Sequence, residues 1–213
     1  MNPIIERNGI KIFVDECPAN PRTEWDNLGK MVCFHKKYIL GDQPNEYNSE
    51  DYNSWDDLAE DIEKDHGPCC ILPVYMLDHS GICIDTQDFC DPWDSGQIGF
   101  LYCSEARALD EGVPLDKLKA QLEAEVQEYN RYLSGQVYGY IRRTEKYKAV
   151  TDKESRIYIY GPTPNFILAQ VFNDEAAELL VDALNKADPE EESCWGFYMD
   201  PEELLELVTR GEV

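Results

Sequence analysis

The chain has 213 residues, enough for one substantial hydrophobic core or one core with a small appended module, and its 43 acidic against 19 basic residues give a formal net charge of −24. Direct binding to nucleic acid or anionic lipid is disfavoured, because both need clustered Lys and Arg. No apolar run approaches the roughly 18–20 residues of a spanning helix, so a soluble protein drawn to basic surfaces is expected.

In chain order, GIKIFV (9–14) alternates as a short strand, and CPANPRTEWDNLG after it has the Pro, Asn and Gly of a loop. MVCFHKKYIL (31–40) reads as a second strand. Residues 41–66 hold ten Asp and Glu against one Lys; the first half reads as loop, and Ser54 caps a helix over 55–65 that turns Trp55, Leu58 and Ile62 inward. ILPVYML (71–77) and ICID (82–85) flank DHSG, a hairpin with its turn at Asp78, His79, Ser80 and Gly81, and QIGFLYC (97–103) is a further strand.

From Pro114 to Ser134 the residues Leu115, Leu118, Leu122, Val126, Tyr129 and Leu133 recur at steps of three and four, an amphipathic helix stopped by Gly135. QVYGYIRR (136–143) and CWGFY (194–198) read as strands. Between them, two extended runs about a Gly-Pro turn and a helix over about 174–187, capped by Asn173, form a ββα module at about 156–187. It reads as an insertion bounded by charged linkers, TEKYKAVTDKES and DPEEES, and PEELLELVTRG closes the chain as a short acidic helix. Strands outnumber helices and suit antiparallel pairing, so the fold class is α+β, mainly antiparallel sheet, in one domain carrying the inserted module.

Eight cysteines without a secretion-type N-terminus read as reduced, mostly buried small hydrophobes rather than a disulfide framework. No zinc spacing or EF-hand pattern occurs, although Asp78, Asp85, Asp88, Asp91 and Asp94 lie close in sequence, and neither metal nor cofactor is expected.

Several blocks resemble a family of small uncharacterised proteins encoded by tailed bacteriophages, prophages and related mobile elements: NPRTEWDNLGKMVCFHKKYILGD, ILPVYMLDHSGI, WDSGQIGFLY, EVQEYNRYLSGQVYGY and ESCWGFY. The resemblance implies a phage or mobile-element origin and action in the bacterial cytoplasm, and carries no activity with it. The 156–187 module is an addition to the shorter family pattern, and Met199 follows WGFY where that pattern has glycine.

Two kinds of site follow. In the first, Glu50, Asp51, Asp56, Asp57, Glu60, Asp61 and Glu63 imitate a phosphate array and occupy a basic channel of a partner such as a host nuclease or another nucleic-acid-binding protein; the plainer reading is a solvated acidic face. In the second, His79, Asp94 and Ser95 supply the residue types of a hydrolase, and Trp25, Asp26, Trp93 and Gln97 line a ligand pocket if their loops converge. The local sequence WDSGQ lacks the G-x-S-x-G elbow, which favours a structural role: Asp94 and Ser95 bonding nearby amides, Gly96 in a glycine-only conformation, Trp93 over the core. Arg142, Arg143, Lys146 and Lys148 form a basic patch expected to bridge to neighbouring carboxylates.

Overall fold

The computed structural model describes residues 2–144, 146–161, 167–188 and 190–213. Strands β1 (Ile5–Arg7) and β2 (Ile10–Val14) lead to a short helix α1 (Pro21–Glu24), β3 (Lys30–Cys33), helix α2 (Trp55–His66), β4 (Cys69–Asp78), β5 (Ile82–Asp85) and β6 (Ser95–Ser104). Helices α3 (Glu105–Asp110) and α4 (Leu115–Leu133) follow, then β7 (Tyr138–Thr144), β8 (Lys148–Thr151), β9 (Ile157–Tyr160), β10 (Ile167–Val171), α5 (Asp174–Ala187), β11 (Glu190–Phe197) and α6 (Pro201–Arg210). All strand pairs among the described residues are antiparallel, and the class is α+β.

The chain packs as two compact units. One is Asp15–Val137, built on a four-stranded sheet in the order β3-β6-β4-β5. Its sheet is covered on both faces, which is why β6, paired on either side, runs apolar from Ile98 to Cys103. Leu101 and Cys103 join Met31, Val74 and Ile84 against the inward stripe of α4, Leu118, Leu122, Val126 and Tyr129. On the other face Val32, Phe100 and Tyr102 receive Leu58 and Ile62 of α2. The β3–β6 backbones approach so closely at Gly99 that a Cβ would collide with the Val32 carbonyl oxygen, so only glycine fits there.

The other unit joins the chain up to Val14 with Tyr138–Val213. It holds a sheet ordered β1-β2-β7-β11, packed by Leu204, Leu205 and Val208 of α6 against Ile10, Ile12 and Tyr140, and a three-stranded sheet ordered β10-β9-β8 that carries α5.

Several local expectations change. The strand anticipated over 31–40 stops at Cys33, because His35 Nδ1 accepts the amides of Lys37 and Tyr38 and turns the chain. The charged segment taken as a linker contains β8, so the ββα unit gains a third strand, and most of DPEEES begins β11. There the charges pair across strands: Arg142 with Glu192 at 2.6 Å and Arg143 with Glu191 at 3.6 Å, with Lys146 on Asp188 at 2.8 Å. The turn expected at Gly161-Pro162 falls partly on residues 162–166, which lie outside the described ones. Of the cysteines only Cys33 and Cys103 are buried, while Cys17, Cys90 and Cys194 are exposed; all eight are free. No helix among the described residues is long and apolar enough to cross a membrane.

Candidate functional site

The acidic segment is ordered by local chemistry. Ser54 Oγ accepts the Asp57 amide at 3.2 Å while the Asp57 carboxylate accepts the amide of Asn53, the residue before the cap, at 3.2 Å, and the two bonds together fix the start of α2. One helix turn on, the Tyr52 hydroxyl and Lys64 donate to Asp61 at 3.2 and 3.0 Å, and together they hold its carboxyl below the usual range. The Tyr47 hydroxyl reaches Asp65 at 3.4 Å. The ridge Asp57, Asp61, Asp65 therefore ties the helix to the preceding loop.

Asp56, Glu60 and Glu63, spaced i, i+4, i+7, form the neighbouring ridge and are exposed, as are Glu50 and Asp51 on the turn Ser49–Asp51. None of these five carboxylates has a hydrogen-bond or ion-pair partner among the described residues. The seven residues expected to bind a partner thus separate into five presented to solvent and two, Asp57 and Asp61, engaged in holding the helix.

The other candidate lies at the end of the β4–β5 hairpin. Asp91 rather than Asp94 organises the turn: its carboxylate accepts the amides of Trp93 at 2.8 Å and Asp94 at 2.9 Å, which depress its pKa. Ser95 Oγ donates to the Asp91 carbonyl at 2.7 Å and accepts the Asp91 amide at 3.2 Å. Its proton is committed to the backbone, so a base would first have to break that bond before Ser95 could act as a nucleophile.

His79 and Asp94 do meet, Nδ1 to Oδ2 at 2.9 Å, but in the open, with the His79 side chain 72 % exposed. The Asp94 carboxylate raises the His79 pKa through that hydrogen bond. Besides the role of Asp94, two more details of the structural reading fail: Trp93 is 90 % exposed rather than over the core, and Gly96 has no close neighbour, so no contact there requires glycine; its φ of +85° does match the glycine-favouring conformation expected of it. Trp93, Asp94 and Gln97, with His35 and Asp78, line an open groove of about 370 Å³.

Trp25 and Asp26 do not join it. They precede Lys30, which pairs with Tyr102, whereas Ser95 pairs with Leu77 at the hairpin end of the same sheet. Seven residues of strand separate those positions, roughly 23 Å. The Trp25 loop is held instead by Asn27, whose side-chain amide donates to the carbonyls of Pro21 at 2.6 Å and Trp25 at 3.1 Å.

Beneath that loop lies a buried charge network absent from the sequence reading. Arg22, its side chain 1 % exposed, donates from Nε and Nη2 to the two oxygens of Asp42, each at 2.8 Å, and from Nη1 to Glu125 at 3.0 Å. Glu125 also accepts the amides of Leu28 at 3.0 Å and Gly29 at 3.2 Å, and Asp42 that of Met31 at 2.9 Å. One signal was available: Glu125 sits between Leu122 and Tyr129 on the inward stripe of α4, where a charge needs a buried partner.

No family model matches the chain, and no curated protein or solved structure shows significant similarity to it.

Proposed function

We propose that this is an acidic interaction protein of a phage or mobile element, acting in the bacterial cytoplasm by presenting α2 and the turn before it to a basic surface of a host nuclease or other nucleic-acid-binding protein. The observation that carries this reading is the charge density of α2. Six carboxylates and one Lys fall within 12 residues. At 1.5 Å per residue that is a net negative charge about every 3.6 Å, close to the roughly 3.4 Å per phosphate along one DNA strand.

The test uses Glu50→Lys, Glu60→Lys and Glu63→Lys together, which spares the helix-tying Asp57 and Asp61 and leaves Asp56 at the positive end of the helix. Capture of a basic partner by the unaltered protein should weaken steeply as salt rises and be competed by duplex DNA, and the triple variant should lose it with its circular dichroism unchanged. Undiminished capture by the variant rules the reading out.

A hydrolase at the hairpin end has one observation in its favour, the 2.9 Å contact of His79 with Asp94, and the bonding of Ser95 to Asp91 speaks against a serine nucleophile. An activity abolished by Asp94→Asn without a fall in melting temperature would favour it over the acidic-surface reading.

A further inference from the structure

Against the acidity of the whole chain, one cavity of about 400 Å³ in the Asp15–Val137 unit has a cationic wall. Its lining includes the cations Lys30 and Arg107 together with Asn45, Glu46, His66 and Tyr102. Lys30 is paired with Tyr102 across β3 and β6, so the two side chains share a sheet face. His66, at the end of α2, packs on the Tyr102 ring at 5.1 Å, and the Tyr102 hydroxyl donates to Glu46 at 2.8 Å and lies 3.2 Å from His66 Nε2.

The polar groups here are incompletely used. Lys30 is exposed and has no carboxylate within ion-pair distance among the described residues. Arg107 gives Nη2 to the Asn27 carbonyl at 2.9 Å and lies 4.0 Å from a fully exposed Asp26. Three buried polar side-chain atoms among the described residues lack a hydrogen-bond partner, and two of them, Asn45 Oδ1 and Arg107 Nε, belong to residues of this cavity. One is an acceptor, the other a cationic donor. Unpartnered buried polar atoms are costly, and a ligand that offers both complements removes that cost once the Asn45 amide and the Arg107 side chain, 35 % of which is exposed, turn these occluded atoms toward the cavity.

We infer that this cavity binds a small organic anion, a carboxylate or a phosphate ester, that also carries a hydrogen-bond donor. The acid group takes Lys30 and the Arg107 guanidinium, which suits a planar or tetrahedral oxyanion; the donor takes Asn45 Oδ1 and Glu46. The inference is independent of the acidic face of α2, and the Glu50, Glu60 and Glu63 reversals should leave it unchanged.

The experiment follows the Arg107 Nε–Hε resonance of the full chain while inorganic phosphate, adenosine 5′-monophosphate and glutamate are added in turn. A saturable shift with a Kd of about 1 mM or tighter is expected for at least one probe, weakened at least about fivefold by Lys30→Gln and retained by Lys30→Arg. A preference for the monophosphate identifies a phosphate ester as the source, a preference for glutamate a carboxylate. Absence of a saturable shift with all three probes overturns the inference, and so does an affinity indifferent to Lys30→Gln.

Discussion

Arg22 shows how much one residue can organise. Its guanidinium sits between two carboxylates that come from the loop after β3 and from α4, and those carboxylates also receive the amides of Leu28, Gly29 and Met31. Glu125→Ala would leave part of a buried cation unpaired and strand two amides, so a loss of about 3–5 kcal/mol is expected, read as a fall in the urea midpoint. The exposed pair at the hairpin end behaves differently. Asp94 raises the pKa of His79 above its unfolded value, so its stabilising contribution is complete below about pH 6.5 and disappears as pH rises through the folded value. In a proton NMR titration Asp94→Asn should return the His79 midpoint toward the ordinary one; an unmoved midpoint would mean the contact does not persist in solution. Sequence could supply the residue types at both places. It could not supply the pairing, because Arg22 and Glu125 are 103 positions apart, and a one-dimensional pattern shows a charge on an apolar stripe without naming its counter-ion.

Elements whose signal is periodic and locally capped were legible. Helices α4 and α5 fall within a residue or so of the expected bounds, and α2 begins where Ser54 requires it, since the cap and the apolar spacing specify the same start. The parts missed are short or polar: β8 is exposed along its length, and the first half of β11, ahead of the expected CWGFY strand, opens with three glutamates, of which Glu191 and Glu192 are stabilised by facing Arg143 and Arg142 across the ladder. Cross-strand charge pairing makes a strand out of a segment that looks like a linker. Ser54→Ala tests the α2 start. It removes the acceptor for the Asp57 amide and should cost about 1 kcal/mol by chemical denaturation, while Asp57 keeps its own bond to Asn53. A larger loss would mean that the cap also positions the loop carrying Glu50 and Asp51.

For the molecule as a whole, a net charge of −24 sets a self-repulsion that every folded arrangement must overcome. Most of it is spread over exposed carboxylates, where salt acts strongly: the screening length shrinks from about 30 Å at 0.01 M to about 8 Å at 0.15 M. Added NaCl should therefore raise the melting temperature over that range, each 1 kcal/mol of relieved repulsion amounting to roughly 2–4 °C for a chain of this size. The Arg22 network, being buried, is screened much less and should not reverse the trend. Replacing Glu50, Glu60 and Glu63 by Lys removes three negative and adds three positive charges, taking the net charge from −24 to −18. That variant should melt higher than the unaltered protein at low salt and respond less to added salt, yet bind a basic partner less well. Opposite signs of the two effects are what a surface kept acidic for recognition demands. If instead the variant gains stability and keeps its partner, the carboxylates serve solvation alone, and differential scanning calorimetry run beside the binding assay separates the two outcomes.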